Sequence, residues 1–316
     1  ARAEISLTYY EYTTLAALLV VMAAKPEVVI LEVGLGGRLD ATNIINADIA
    51  VITTVDLDHQ AFLGNDRETI GFEKAGIMRA QQRVVIGDPK PPKSVVGHAK
   101  SLNAQAYMRN RDFHILNEDE NVDAQEYWSW QTQTSQFNTL PVSHIPRDNI
   151  ATGLMVLNLL QQNTLLDFSQ DDIAKLIDNT RVAGRTEKFV DGCDVMLDVG
   201  HNPLAARYLA QTISQLNYDN IFAVVGMLAD KDIANTIKPL EELIDGWYFA
   251  NLSTERSAKA EQLHQSLTES KTESFCFDNV VDAYRMANHQ SESNDLVLVF
   301  GSFFTVAEVR TFLMGR

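Results

Sequence analysis

The chain has 316 residues and a formal net charge of −16, from 26 Lys and Arg against 42 Asp and Glu, and 46% of its residues are hydrophobic. This is ordinary globular composition, and its acidity excludes the generally basic surface of a nucleic-acid-binding protein. No apolar run approaches the roughly 20 residues that a membrane span needs and no signal pattern opens the chain, so we expect a cytoplasmic protein without membrane contact.

The first half of the chain alternates helical and strand patterns. Residues 11–24 are rich in Ala and Leu and predict a largely buried helix, and the apolar run 28–31 predicts a strand buried on both faces. A second buried strand is predicted over 49–55. A helix over 67–79 and a short strand over 83–86 follow it.

The pattern changes over residues 107–140, where short aromatic segments alternate with acidic stretches. This pattern favours an antiparallel hairpin insert. Residues 147–162 predict a helix again, and Ser169 is a plausible N-cap of the next one.

The small and charged residues 180–187 are typical of a hinge, and we place a domain boundary there, giving domains 1–183 and 184–316. After the hinge, strands predicted at 195–199, 221–225, 247–250 and 296–300 alternate with helices. That order is typical of a parallel sheet covered on both faces.

The stretch 28–43, VVILEVGLGGRLDATN, places Glu32 and a glycine turn directly after a buried strand. Two readings are equally weighted: a metal and a phosphate meeting at the strand end, or a tight turn with a surface glutamate. A dinucleotide fingerprint is disfavoured because Leu39 occupies the position that needs glycine. Asp40 and Asn43 are also at positions suited to helix capping.

Polar residues follow the later strands as well. Asp56, Asp58 and His59 suit either a divalent cation or ordinary hydrogen bonding, and Lys74 suits a surface lysine on its helix. In the segment DVGHNP, Asp198 and His201 suit either ligand binding at the sheet edge or turn formation. Other polar residues of the same kind are Arg181 and Arg185 in the hinge, the run Asp230-Lys231-Asp232, and Ser302.

Taken together, the motifs LEVGLGGRLDATN, DLDH, IGFEKAGI, RDN, AGR, DVGHNP, GMLADKD and GSFFTVAEV resemble the Mur ligase family, and closely its bacterial dihydrofolate synthase/folylpolyglutamate synthase branch. They occur in the family's order over nearly the whole chain. The resemblance implies a Mur-ligase-like α/β fold, in which a mostly parallel-sheet ATPase domain, N-terminally truncated here, precedes a Rossmann-like domain. It also implies a reaction: ATP phosphorylates a folate carboxylate, and the amine of L-glutamate attacks the acyl phosphate to form an amide.

The resemblance also implies site residues at the matching motif positions. The implied ligands of Mg²⁺ are Glu32, His59 and a carbamylated Lys74. The implied ATP contacts are Asn149, Arg185 and Asp198, and the implied catalytic residues are Lys74, Asp198 and His201. Dihydropteroate or folate is implied beside Thr8, Tyr10, Asp40 and Ala41, and glutamate near Ser302.

No Walker A pattern, G-x-x-x-x-G-K-[ST], occurs in the 316 residues, although the resemblance implies such a loop upstream. We therefore expect a fragment of a longer, monomeric protein, inactive by itself. Smaller departures are Gly200, Phe304 and Glu308, where relatives usually carry other residues. The alternatives are a non-catalytic folate- or glutamate-binding module and another Mur-type amino-acid ligase.

Overall fold

The computed structural model describes residues 5–116, 127–162, 167–268 and 272–315, which form two units. The N-terminal unit, within residues 5–180, comprises α1 (Tyr9–Ala24), β1 (Ile49–Ile52), α2 (Gln60–Leu63), α3 (Arg67–Ala75), β2 (Arg83–Ile86), α4 (Lys93–Ser101), β3 (Gln105–Met108), β4 (Phe113–Leu116), β5 (Tyr127–Thr132), β6 (Gln136–Pro141), α5 (Arg147–Gln162) and α6 (Gln170–Asn179). The C-terminal unit, within residues 187–315, comprises β7 (Glu187–Asp191), β8 (Cys193–Asp198), α7 (Pro203–Ile213), β9 (Ile221–Val225), α8 (Ile233–Ile237), β10 (Gly246–Ala250), α9 (Ala260–His264), β11 (Glu273–Phe277), α10 (Val280–Gln290), β12 (Leu296–Phe300) and α11 (Phe303–Met314).

A parallel sheet in the order β1-β2-β3 organises the N-terminal unit. Its core includes the fully buried Ile70 of α3 and Val95 of α4. Strand β1 is shorter than the strand predicted over 49–55. Its pairing with β2 ends at Ile52 and Ile86, and residues 53–55 form no ladder pairs. The chain after β1 therefore leaves the sheet at its carboxyl edge.

The prediction of burial at the start of the chain is wrong. Helix α1 forms, but none of its described residues is buried, and it packs mainly on a 3₁₀ turn, Ala41–Ile44. Residues 28–31 form no strand, and Ile30 is 89% exposed. The physical reason is that no other described element packs over these apolar side chains.

The predicted antiparallel insert is confirmed as the sheet β4-β5-β6, although residues 117–126 lie outside the described residues. Trp128 and Trp130 of β5 are buried against α5 through residues such as Leu154 and Met155. A small core of its own thus fixes the insert to the helix that carries the RDN motif.

The predicted alternation in the second half is confirmed for β8, β9, β10 and β12, which belong to a six-stranded sheet in the order β11-β10-β9-β12-β8-β7. The two edge strands, β7 and β11, were not predicted. All pairs are parallel except β7 with β8. The strand order reverses direction around β12, and ligands of open α/β sheets bind at such a position beyond the carboxyl ends of the strands. Within the described part of the chain, no helix is both long and apolar enough to cross a bilayer.

Candidate active site

Polar residues that follow β1, β8 and β9 meet where the two units touch. The amide Nδ2 of Asn202 donates to Asp58 Oδ2 at 2.9 Å, and Lys231 Nζ lies 3.5 Å from Asp58 Oδ1. The Nε2 atoms of His201 and His59 lie 4.0 and 3.9 Å from the same carboxylate. These five residues are named the Asp58 cluster, and they bring three sequence motifs, DLDH, DVGHNP and GMLADKD, together.

The turn after β8 explains how His201 and Asn202 are aimed. Asn202 Oδ1 caps α7 by accepting the Ala205 N–H at 2.9 Å, and Pro203 fits the first helical position. The amide nitrogen of Asn202 is thereby left facing Asp58. His201 Nδ1 lies 2.9 Å from the Val199 carbonyl, which only accepts, so in the neutral ring Nδ1 carries the hydrogen and Nε2 is the acceptor.

The cluster shifts the protonation of its members. Burial alone would raise the pKa of Asp58, but the hydrogen bond from Asn202 and the charge of Lys231 outweigh it and hold the pKa below its usual range. Burial lowers the pKa of His59, and the positive charge of Lys231 adds to that effect against the attraction of Asp58. The cluster therefore pairs an ionised carboxylate with a neutral His59 ring at neutral pH.

Lys74, in the last turn of α3, lies within electrostatic range of this cluster. Burial lowers the pKa of its ammonium group, and the charge of Asp58 acts in the opposite direction. Burial has the larger effect, so the ammonium group of Lys74 loses its proton more readily than that of a surface lysine.

Glu32 does not join the cluster in a preformed metal centre. It lies exposed after residues 28–31, and its charge acts on the Tyr10 hydroxyl. Among the residues that the structure describes, no three His, Cys, Asp or Glu side chains lie close enough to hold a metal ion. His59 still fits a cation that takes most of its ligands from a bound nucleotide, because a neutral imidazole is the ligating form.

Asp198, at the end of β8, forms a second polar centre next to the hinge. It is 8% exposed and accepts the N–H groups of Thr186 at 2.9 Å and Gly200 at 2.7 Å. Burial nevertheless raises its pKa, while Arg185 acts to lower it. The structure thus brings the predicted residues Asp198 and Arg185 into one electrostatic neighbourhood.

Asn149 lies exposed in the first turn of α5, two residues after Arg147. The charges of both Arg147 and Asp198 act on the Tyr208 hydroxyl, whose pKa burial raises. The start of α5 therefore faces the Asp198 centre across Tyr208.

The carboxylate of Asp40 organises part of the predicted folate site through its hydrogen bonds. Asp40 accepts the N–H groups of Gly34 at 3.0 Å and Leu35 at 3.1 Å, and bonds Thr42 through both its N–H and its hydroxyl. The Tyr10 hydroxyl lies 3.4 Å away, at the edge of hydrogen-bond range. Thr8 caps α1 instead, in a capping box with Glu11, and Ala41 opens the 3₁₀ turn.

Ser302 is buried and serves as the N-cap of α11. Its Oγ accepts the Thr305 N–H at 3.0 Å, and Thr305 Oγ1 in turn donates to the Gly226 carbonyl at 2.7 Å. The hydroxyl is thus already engaged inside the C-terminal unit.

Two cationic contacts between the units were not predicted. Arg207 Nη2 donates to Asp56 Oδ2 at 2.5 Å, and a groove of about 1120 Å³ opens beside this pair, lined by Pro203 and Lys238 among others. Lys231 was noted only as a polar residue after a strand. Its position in the loop after β9 was the available signal, whereas nothing local in α7 marks Arg207.

Comparisons with protein families match two models to this chain. The Mur ligase middle domain matches residues 2–151, and the glutamate ligase domain of Mur ligases matches residues 184–303. Dihydrofolate synthase/folylpolyglutamate synthase of Escherichia coli K12 is 40% identical over 317 residues, covering 100% of this chain and 72% of its own length. The protein of the same description from Haemophilus influenzae is 39% identical, covering 96% of this chain and 72% of its own length.

Solved structures match equally well. E. coli FolC in complex with DHPP and ADP has a TM-score of 0.91 at 39% identity, covering 100% of this chain and 73% of its own. The Yersinia pestis bifunctional enzyme complexed with AMPPNP and a Mn ion has a TM-score of 0.89 at 42% identity, covering 99% of this chain and 73% of its own.

Proposed function

This chain belongs to the Mur ligase family, and we propose that it serves the ATP-dependent ligation of L-glutamate to dihydropteroate and to the γ-carboxyl group of folates. The observation that carries the proposal is the Asp58 cluster, in which polar residues from both units converge at the carboxyl ends of their sheets. The relatives with this activity in their names align over the whole chain.

The proposed reaction has two steps. The γ-phosphoryl group of ATP passes to the folate carboxylate and ADP leaves; the glutamate amine then attacks the acyl carbon, and phosphate leaves as the amide forms. His201 presents its Nε2 at the interface of the units, which suits a group that accepts a proton from the glutamate ammonium. Enclosure between two units would keep water from the acyl phosphate.

We propose that His59 and Lys74, with Glu32, hold the Mg²⁺ that accompanies ATP. When bound, Mg²⁺ would neutralise charge on the transferred phosphoryl group. The lowered pKa of His59 favours the neutral, ligating ring. A carbamate on Lys74 would turn a cation into a carboxylate, and the lowered pKa of Lys74 favours the free amine that reacts with CO₂.

The Lys74 proposal has a direct test on this chain. After equilibration with ¹³C-bicarbonate, we expect one carbamate signal in the ¹³C NMR spectrum that is absent from Lys74→Arg. A spectrum without that signal at saturating bicarbonate would remove the carbamate from the proposal.

The remaining assignments are proposals at the positions described above. ATP would contact Asn149, Arg185 and Asp198, and folate would lie beside Thr8, Tyr10, Asp40 and Ala41. Glutamate would bind at the sheet edge near Ser302. We also propose a cytoplasmic monomer divided at residues 183 and 184.

The 316 residues contain no Walker A pattern, so we propose that this chain alone does not turn over ATP. The test is a hybrid in which the chain is joined to the remaining segment of the E. coli relative, of which it covers 72%. We expect glutamate-dependent ADP release with dihydropteroate and with tetrahydrofolate from the hybrid, and background release from the chain alone.

Two outcomes would contradict the proposal. Binding of folate without ADP release by the hybrid would favour a non-catalytic binding module. Turnover with a nucleotide-linked sugar instead of a folate would favour another Mur-type ligase. In an active hybrid, Glu32→Gln is expected to weaken Mg²⁺-dependent turnover sharply, and unchanged Mg²⁺ dependence would exclude Glu32 from the metal site.

A further inference from the structure

An ion pair with a buried carboxylate, Arg67–Asp88, lies beside the segment that leads to Asp58. Asp88, just after β2, is 1% exposed, and its Oδ2 accepts both the Val55 N–H at 2.9 Å and Arg67 Nη2 at 2.8 Å. Its other oxygen accepts the Lys90 N–H at 2.8 Å. A buried carboxylate is tolerated only with such partners, so Asp88 is held in one orientation.

Arg67, the first residue of α3, completes the arrangement. Its Nε donates to the Val55 carbonyl at 2.7 Å, and its Nη2 also donates to the Lys90 carbonyl at 3.0 Å. The N–H and the C=O of Val55 are thus both bonded to one Arg–Asp pair. The planar guanidinium fork makes this geometry possible, and a lysine cannot reproduce it.

Val55 occupies a critical position in the chain. It lies three residues beyond the last ladder pair of β1, and Asp56 and Asp58, which contact the C-terminal unit, follow it at once. In the same segment His59 has a left-handed backbone, with φ +49°, an unfavourable conformation for a residue with a side chain. Such a segment keeps its shape only if its neighbours fix it.

The same pair also fixes α3 relative to this segment. Arg67 begins the helix, and Lys74, whose ammonium senses the Asp58 charge, lies seven residues further along. We propose that Arg67 and Asp88 are positioning residues, which hold residues 56–59 and helix α3 in register so that Asp58 meets Asn202 and Lys231.

The test compares three substitutions with a matched control in this chain. Asp88→Asn and Arg67→Gln remove the pair, and Arg67→Lys keeps the charge without the fork. Arg38→Gln is the control, because Arg38 forms a bidentate pair with Glu73 on the same helix at similar exposure but does not touch Val55. The readout is amide hydrogen exchange of residues 56–63, compared with β2 and β3.

We expect exchange in residues 56–63 to accelerate about tenfold in Asp88→Asn and Arg67→Gln, with a smaller acceleration in Arg67→Lys and less than about twofold in Arg38→Gln. Equal acceleration across β2 and β3 would reduce the pair to general stabilisation and overturn the proposal, as would an equal effect of Arg38→Gln. If Asp88→Asn does not fold, the two Arg67 variants decide the question.

A kinetic arm depends on the proposed ligase function, whereas the exchange measurement does not. In the hybrid we expect the Arg67→Gln substitution to lower kcat about tenfold while the KM for glutamate changes less than about threefold, with partial rescue in Arg67→Lys. A changed KM at constant kcat would contradict positioning of the reacting groups. An inactive unsubstituted hybrid would count against the proposed function alone.

Discussion

Asp198 ends β8 and Asp58 lies after β1, and the pKa values of their carboxyl groups shift in opposite directions. Burial acts to raise the pKa of both groups. At Asp58 the Asn202 hydrogen bond and the Lys231 charge reverse that effect, whereas the two backbone N–H groups that Asp198 accepts do not. Asp58 is therefore a permanent anion near neutral pH, and Asp198 takes up a proton more readily.

His59 leads to a prediction about pH. Its pKa in the folded chain lies below the usual 6.5, so between those two values the unfolded chain binds more protons. The free energy of unfolding should therefore fall as pH drops below 6.5. We expect a smaller loss between pH 7.5 and 5.5 in His59→Asn than in the unsubstituted chain, measured by urea unfolding. Parallel losses in both proteins would show that His59 is not desolvated.

Sequence patterns give most information about residues whose hydrogen bonds are made within their own segment of the chain. Asp198 ends β8 and His201 follows it in a turn, and their motif left ligand binding at the sheet edge and turn formation both open; the structure shows the turn hydrogen bonds. The partners of Asp58 were not predictable in this way, because Asn202 and Lys231 lie far away in the chain and meet Asp58 only through the packing of the two units. Sequence patterns left metal ligation open for Asp56 and Asp58, whereas the structure bonds both to the C-terminal unit.

The glycine turn after residues 28–31 packs against α3. Arg38 N–H donates to the Glu73 carbonyl at 2.8 Å, and Asn43 Nδ2 donates to the Gly76 carbonyl at 3.1 Å. A Cβ at Gly37 would lie 3.0 Å from the carbonyl oxygens of both Glu73 and Lys74. Glycine is needed here for the close approach of two backbones, which the sequence alone did not distinguish from an anion-binding turn.

Gly37→Ala should accordingly be costly, because the methyl group would push α3 and Lys74 away from the turn. We expect a loss of about 1–3 kcal/mol in the free energy of unfolding. Gly97→Ala in α4 is the matched control: beyond its chain neighbours and the backbone of its own helix, no described atom lies within 4 Å of an added Cβ, and alanine should stabilise this helix by about 0.5–1 kcal/mol. Chemical unfolding of both variants measures the difference, and a neutral Gly37→Ala would contradict the close contact.

Helix α1 shows where a pattern of apolar residues misleads. The pattern gave the helix correctly, but it cannot say what covers the helix, and in the described structure Leu19 is 66% and Met22 is 70% exposed. The strands β8, β9, β10 and β12 were predictable because each is buried by neighbours within the same sheet and by helices close in sequence. The edge strands β7 and β11 are only partly buried, and their patterns did not reveal them.

The exposure of α1 is testable by substitution. Leu19→Lys and Met22→Lys should each change the stability of this chain by less than about 0.5 kcal/mol and should reduce binding of a hydrophobic dye. Ile70→Ala in α3 is the contrasting variant, since Ile70 is fully buried and its truncation should cost about 2–5 kcal/mol. A loss of that size in either lysine variant would show that α1 is covered.

At the scale of the whole molecule, the two units contact each other near the candidate active site through polar groups. The side chains of Asp56 and Asp58 reach the C-terminal unit, and on the hinge side the Thr186 hydroxyl donates to the His144 carbonyl at 3.3 Å. Polar interfaces between domains exchange their partners for water at low cost, so they suit units that separate and close again. The arrangement of the two sheets should therefore respond to single charges at this edge.

The Asp56–Arg207 pair gives that expectation a clean test. Arg207 is 54% exposed as a side chain, and an exposed pair contributes about 0.2–1 kcal/mol, a factor of about 1.4–5 in the ratio of closed to open molecules. Asp56→Arg and Arg207→Asp should each shift the distance distribution between the units toward separation, and the double substitution should restore it. High salt should produce the same shift in the unsubstituted chain, because it screens the pair.

The distance can be measured between labels on the native exposed Cys276 in β11 and on Lys100→Cys in α4, since Cys193 is buried. Exchanging the charges of Asp282 and Arg285, a pair within α10, is the control and should leave the distribution unchanged. Restoration by the double substitution is the decisive result, because a general loss of stability cannot be reversed by reversing both charges. If the distributions of the two single variants equal that of the unsubstituted chain, the Asp56–Arg207 pair does not contribute to holding the units together.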